Sequence, residues 1–483
     1  MKEPSPPLAI GPIDRRIPLS QQIYDRLRHA IDAHLLRPGA RLASARALAS
    51  ELGVARGTVE SAYQRLAGEG YLLARGPAGT IVSPHLARQP APQPAKATTN
   101  ARPRSDRGAM AVNPEPPLPF QLGIPGLDAF PRKLWSRLAT RRIRTTSPPE
   151  LSYSDPRGYL PLRQAIAAYL LVSRGVPCRA EQVLVTGGYR ASLALIVQTL
   201  LRQRDRVWIE NPCYPPTRTL LERAGTIPCA VPVDDEGLVV AQGIRQAPKA
   251  RLAVVTPSHQ APLGVSMSMP RRLQLLDWAS RHEAWIVEDD YDGEFHYHGP
   301  PLPALKSRDT TDRVIYAGSF SKVLFPGLSL GYLVLPERLT EQFSASVQIW
   351  PNYVARVTQA IVADFIDNGH FSRHLKKMRA LYAHRRALLA AALTDAFGAR
   401  VTIDLARGGM HLVARFAGRT SDETLARRAQ RAGLNCQALS PRYLGETKRE
   451  GLLMGFTNVA TAQEAARLAA ALRDALALGN VSA

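Results

Sequence analysis

At 483 residues the chain is too long for one hydrophobic core, and two or three domains are expected. A formal charge of +22 with 45% hydrophobic residues describes a basic globular protein and suggests a polyanion among its partners, although general arginine richness would give the same charge. No run of 18 apolar residues occurs, residues 1–18 lack a signal peptide's apolar core, and Cys178, Cys213, Cys229 and Cys436 form no C-x-x-C pair; a cytoplasmic protein without membrane span or disulfide framework is expected.

From Leu19, apolar residues Ile23, Leu27, Ala30, Ile31 and Leu35 recur at spacings of three and four and predict a helix stopped by Pro38-Gly39. A second helix follows, with Ser44 as N-cap, Leu48 and Leu52 on its buried face and Gly53 as its break. A third is predicted from about Arg56 to Gly68, with Val59, Tyr63 and Leu66 facing inward. Tyr71-Leu-Leu, Gly76-Pro-Ala-Gly79 and Thr80-Ile-Val then read as a hairpin. Three helices and a hairpin make a winged helix, whose third helix enters a major groove. Ser44, Arg46, Arg56, Thr58 and Arg75 fall at the helix starts and the wing, where such a fold meets DNA. Each arginine alone reads as a solvated charge; as a set they read as a DNA surface. Residues 1–85 hold 11 Lys/Arg against 7 Asp/Glu, a net +4, so affinity must come from placement and from two copies of the domain.

Residues 86–118, rich in Pro, Ala, Arg, Thr and Asn without apolar periodicity, are expected to be a flexible linker. The body runs from about 119 to 480. Ser152-Tyr153-Ser-Asp155-Pro-Arg157-Gly158 predicts a turn into a helix over about 161–173. Strands are predicted at 182–186, 206–209, 251–256, 284–287 and 313–316, with helices between them (187–201 and 270–282, for instance). This is an α/β pattern with a largely parallel sheet. The carboxyl end of every strand carries polar or glycine residues: Gly187-Gly188, Tyr214, His259-Gln260, Asp289 with Tyr291, and Ser319 with Lys322. In open α/β sheets that edge binds ligands.

Lys322 within Gly318-Ser-Phe-Ser-Lys322 could form a Schiff base with an aldehyde cofactor, its neighbouring hydroxyls holding the cofactor's phosphate. Glycine amides at a strand-to-helix turn also suit an anion. A carboxylate would keep a pyridine nitrogen protonated, a tyrosine hydroxyl would bond the ring oxygen, and an aromatic face would stack on the ring. Pyridoxal 5'-phosphate needs these parts. The acidic run Glu288-Asp-Asp-Tyr-Asp292 also admits a divalent-metal site or a solvated turn.

The first 85 residues closely resemble the GntR-type winged helix through Pro18-Leu19-x-x-Gln22-Ile23-Tyr24, Leu35-x-x-Pro38-Gly39-x-Arg41-Leu42, Arg46-x-Leu48-Ala49, Leu52-Gly53-Val54-x-Arg56-x-Thr58-Val59 and Glu69-Gly70-Tyr71. Ala43-Ser44-Ala45 stands where that family usually has Pro-Ser-Ser. From about 120 to 478, Thr256-Pro-Ser-His-Gln-x-Pro-x-Gly264, Glu288-Asp-Asp-Tyr-Asp292 and Gly318-Ser-Phe-Ser-Lys322-x-Leu-x-Pro-Gly327 resemble a fold-type I, class I aminotransferase. The whole resembles the MocR/GabR regulators, which fuse the two.

The resemblance implies a large α/β domain, a small C-terminal α+β domain and a homodimer. It implies that Lys322 carries the cofactor, Asp289 pairs with the pyridine nitrogen, Tyr291 bonds the ring oxygen and Tyr214 stacks on the ring. Gly187, Gly188 and Ser319 would hold the phosphate, with Tyr153 reaching it from the neighbouring subunit. Two departures stand out. Ser329 occupies the place of a phosphate-binding arginine, and Leu452-Leu453-Met454 lacks the late-strand arginine that grips a substrate carboxylate. The expected function is a transcription regulator, binding an operator near its own or a divergent gene. Its aminotransferase-like domain senses pyridoxal phosphate itself, in control of vitamin B6 supply, or an amine or amino acid. A working aminotransferase with a vestigial DNA domain is the alternative.

Overall fold

The computed structural model describes residues 18–76, 79–88, 117–297, 303–350 and 354–477. The chain divides into two compact units, Met1–Asn113 and Pro114–Ala483, each described by itself. Most of the predicted linker, residues 89–116, and the wing tip Pro77-Ala78 lie outside the described residues.

In the first unit, helices α1 (Leu19–Asp32), α2 (Ala45–Leu52) and α3 (Arg56–Gly68) pack through Ile23, Leu27, Leu48, Val59 and Leu66, all fully buried. Strands β1 (Leu72–Ala74) and β2 (Thr80–Val82) pair antiparallel, Leu72 opposite Val82. Ser44 caps α2, its Oγ accepting from the Ala47 amide at 3.1 Å, and Gly53 closes the helix at φ +63°. One expectation fails: Leu35 is 74% exposed, because α1 ends at Asp32 and His34 turns the chain left-handed at φ +56°. The spacing rule cannot see that early stop.

The second unit is built on an eight-stranded sheet. Its members are β3 (Val183–Thr186), β4 (Arg206–Asn211), β5 (Ile227–Asp234), β6 (Gly237–Leu238), β7 (Leu252–Val255), β8 (Trp285–Asp290), β9 (Val314–Ser319) and β10 (Gly331–Val334), in the order β3-β10-β9-β8-β7-β4-β5-β6. From β9 through β5 the pairs are parallel; β10 lies antiparallel between β3 and β9. Alternate residues of each strand serve opposite faces. Ile209, Val254 and Val287 pack on one core with Leu193 and Ile196 of a helix; Trp208, Ala253 and Ile286 pack on another with Leu275 and Trp278. Helices therefore cover both faces, which is why the strands read as short continuous apolar runs. Preceding β3 are α4 (Arg132–Thr145) and α5 (Leu160–Arg174), and α6 (Tyr189–Leu200) follows it. The C-terminal part is a four-stranded antiparallel sheet, β11 (Val401–Asp404), β12 (His411–Phe416), β14 (Leu452–Gly455) and β13 (Gln437–Ala438), with helices His370–Phe397, Asp422–Arg431 and Ala462–Ala477. The α/β and α+β expectation holds. Sequence reading missed β5, β6 and β10 of the large sheet and β11, β12 and β13 of the small one.

Candidate functional site

Strands β3, β4, β7, β8 and β9 all point their carboxyl ends to one edge of the sheet. At the end of β8, three successive carboxylates part company because strand side chains alternate. Glu288 accepts the Leu305 and Lys306 amides at 2.7 and 2.8 Å. Asp290 pairs with buried Arg174 at 2.6 Å and accepts from the Tyr316 hydroxyl at 2.6 Å. Both are structural. Asp289 turns the other way, is buried, and makes no hydrogen bond among the described residues. Burial pushes its carboxyl well above the usual range, Asp290, Asp292 and Glu210 add to the push, and Lys322 opposes it. A fixed cation opposite Asp289 would reverse that shift.

Lys322 follows β9 on its loop. Its Nζ donates to the Gly123 carbonyl at 2.8 Å, and burial holds its amine below the ordinary lysine range against the pull of Asp292 and Asp289. A lysine so placed reaches its nucleophilic neutral form at lower pH. Gly123 has φ +72°, which favours glycine, and a methyl there would come within 2.5 Å of Nζ and displace the end of the lysine side chain.

Tyr291 lies 3.0 Å through its hydroxyl from His259 Nδ1, which is also 3.3 Å from Asp292 Oδ2. The buried His259 Nε2 has no partner among the described residues. Tyr214 starts the helix Pro215–Arg223; its ring centroid is 6.2 Å from that of Tyr189, whose hydroxyl bonds Thr217 Oγ1 at 2.7 Å. Asp289 acts electrostatically on Tyr214, Tyr291 and Lys322, so these four predicted residues share one region.

The glycines and Ser319 come in through register. Gly331 of β10 sits opposite Thr186 on one side and Ser319 on the other. This sets the Gly187-Gly188 turn and Ser319 two strand spacings apart, about 10 Å. Gly188 begins α6 at φ +97°, turning the first amides and the positive end of a 12-residue helix toward this edge. Ser319 Oγ accepts from the Ser321 amide at 3.2 Å. Ser329 lies left-handed at φ +45° after the turn Pro326–Leu328. Tyr153 is fully exposed and makes none of the hydrogen bonds or ring contacts of the other site tyrosines, so the single chain does not bring it to them. Sequence reasoning missed Gly123, Tyr189 and Arg442. Tyr189 was readable from the Gly-Gly turn; the other two are delivered by distant segments.

In the first unit Arg46, Arg56 and Arg75 are exposed and Thr58 and Ser44 stand at the helix starts. Arg56 pairs with Glu60 one turn on, at 2.7 Å, both side chains largely solvent-exposed. Such a pair is worth about 0.3–0.5 kcal/mol, little enough to be exchanged for a phosphate or a base.

The fold and site define a winged helix joined to an aminotransferase-type body. The gntR family of bacterial regulatory proteins matches residues 19–82, and the class I and II aminotransferase family matches residues 132–466. The chain belongs to the MocR-type transcriptional regulators, DNA-binding proteins that carry such a body as an effector-binding domain. It is 38% identical to the probable rhizopine catabolism regulatory protein MocR of Rhizobium meliloti, over 92% of this chain and 91% of the relative. It is 33% identical to the pyridoxine biosynthesis transcriptional regulator PdxR of Corynebacterium glutamicum, over 93% of this chain and 94% of that one. Among solved structures, the α-aminoadipate aminotransferase LysN of Thermus thermophilus, complexed with N-(5'-phosphopyridoxyl)-L-leucine, superposes with a TM-score of 0.67 at 27% identity, covering 74% of this chain and 92% of LysN.

Proposed function

We propose that the body binds pyridoxal 5'-phosphate at Lys322 and that occupancy of this site, by the vitamer or by an amine or amino acid meeting it, sets the affinity of the winged helix for its operator. The observation that carries the reading is the buried carboxylate of Asp289, without a hydrogen bond among the described residues, within electrostatic reach of an amine that burial holds below its ordinary pKa. A protonated pyridine nitrogen would supply the cation that Asp289 lacks, and the bound cofactor would supply an electrophilic carbonyl and an electron sink. Tyr291, oriented through His259, would donate to the ring oxygen, and Tyr214 would cover a ring face. The α6 amides with Gly187, Gly188 and Ser319 would hold the phosphate, and Tyr153, exposed on its own chain, would complete the cradle across a homodimer. On the DNA side Ser44, Arg46, Arg56, Thr58 and Arg75 would make the contacts, with domains over 15–85 and 119–480 joined by the 86–118 linker, in the cytoplasm.

Turnover of an amino acid finds less support. The late strand of the small domain, β14, is buried and apolar through Leu452, Leu453 and Met454 and offers no arginine. The test is spectroscopic. Purified protein supplied with pyridoxal phosphate is expected to show a visible absorption band and to retain the cofactor covalently at Lys322 after borohydride. Lys322→Ala should do neither. A reducible adduct in Lys322→Ala would remove the assignment.

A further inference from the structure

Arg442 closes the turn Ser440–Arg442 of the small domain and has no carboxylate partner among the described residues. Its position is fixed by the backbone. Asp422 accepts the Leu439, Ser440 and Gly451 amides at 3.0, 2.8 and 3.1 Å, gripping both ends of the loop. The loop is then stitched to the segment after β4 that carries Tyr214. The Cys213 amide donates to the Arg442 carbonyl at 3.2 Å, and Asn211 and Leu444 exchange bonds of 2.9 and 2.8 Å. So tethered, the half-buried guanidinium gives one bond, from Nη2 to Gln437 Oε1 at 2.5 Å, a neutral acceptor. A guanidinium has five N–H donors, so most of its hydrogen-bonding capacity is open.

The Cys213 bond sets it beside the segment that carries Tyr214, and its charge is felt by Tyr214, Tyr291 and His411. The phenols and the imidazole are neutral. The remaining N–H groups of Arg442 are not among the buried atoms left without a partner, so solvent holds them and an anion can take its place. The phosphate cradle has its own donors in the α6 amides and Ser319, whereas nothing on β14 can serve a second anion.

We propose that Arg442 is the carboxylate-binding residue of the effector pocket, and that the effector is an amino acid rather than a simple amine or the vitamer alone. This rests on the pyridoxal phosphate reading above. A guanidinium fork binds a carboxylate through two parallel bonds, so the carboxylate should strengthen binding roughly tenfold to a hundredfold.

The experiment uses full-length protein loaded with pyridoxal phosphate and titrated with glycine, L-alanine, β-alanine and 4-aminobutanoate, each against its decarboxylated amine (methylamine, ethylamine, ethylamine and propylamine). Binding is read from the cofactor's absorbance and from the protein's thermal midpoint. At least one acid is expected to bind about tenfold or more tightly than its amine. Arg442→Gln should erase that preference, each acid binding no more tightly than its amine within the variant, and Arg442→Lys, which keeps a point charge without the fork, should retain part of it. The lysine variant decides the matter if the glutamine variant does not fold. The proposal is overturned by a preference that survives in the variants, by its absence in the wild type, or by faster cofactor release as the only effect, which would make Arg442 a phosphate ligand. Protein that takes up no cofactor at all overturns the site reading itself, and this inference with it.

Discussion

Ser329 shows how one residue sets competing terms against each other. The place is left-handed, φ +45°, and a side chain other than glycine there carries roughly 1–2 kcal/mol of backbone strain, which serine already bears. Arginine at this place adds no new strain of that kind and, if the proposed cofactor sits there, would offer its phosphate a charge-assisted bond worth about 1.5–3 kcal/mol. Ser329→Arg is therefore expected to slow pyridoxal phosphate dissociation by roughly tenfold or more, measured by dialysis followed by fluorescence. Unchanged dissociation would mean that the local geometry directs the new side chain elsewhere, or that another cation already serves the phosphate. Asp289 and Asp290 make the complementary point. They are neighbours of one chemistry, yet strand alternation sends one into the Arg174 ion pair and leaves the other for the ligand edge.

At the scale of elements, the sheet's edge was legible because β3, β4, β7, β8 and β9 are each a short buried apolar run followed by polar or glycine residues, and that boundary is visible without a structure. Strand β10 was not. It is only four residues, Gly331–Val334, and follows a tight turn, so neither length nor alternation announces it. Yet β10 spaces the proposed phosphate cradle, and Gly331 is closely packed between its two neighbouring strands. A Cβ there would meet the Gly318 carbonyl at 2.9 Å and the Gly188 Cα at 3.0 Å, backbone on both sides. Gly331→Ala should thus cost about 1–3 kcal/mol of stability and, by pushing the Gly188 turn outward, weaken phosphate retention as well. Denaturant unfolding with and without pyridoxal phosphate measures both effects; a variant with wild-type stability and wild-type cofactor retention would contradict this account of β10. Arg442, Gly123 and His411 were illegible for another reason. Each joins the site from a segment far away in sequence, and no local pattern marks a residue whose partners are a hundred positions distant. The winged helix lies at the opposite extreme. Its caps, turns and buried stripe are local, and only the early end of α1, at Asp32, departed from what the periodicity implied.

For the whole molecule, the charge is not concentrated in the winged helix. The chain carries +22 and residues 1–85 contribute +4, about their share by length, so one winged helix is weakly basic. Two copies held by a dimeric body would bind through effective concentration. With ~6–10 phosphate contacts in total, operator affinity should fall roughly 10³–10⁵-fold between about 50 and 200 mM salt. Arg56→Ala should cost about 1–3 kcal/mol per half-site if the guanidinium reads a base, as a gel-shift titration against the protein's own upstream region would show. Equal affinities for the two proteins would take Arg56 out of the interface. The central claim is that cofactor chemistry at Lys322 is communicated to DNA. Its most direct test is operator affinity by fluorescence anisotropy, for wild type and Lys322→Ala, with and without saturating pyridoxal phosphate. The account predicts that the vitamer, alone or with an amino acid, shifts wild-type affinity and leaves Lys322→Ala unmoved; an equal shift in both proteins, or none in the wild type under either condition, would contradict it.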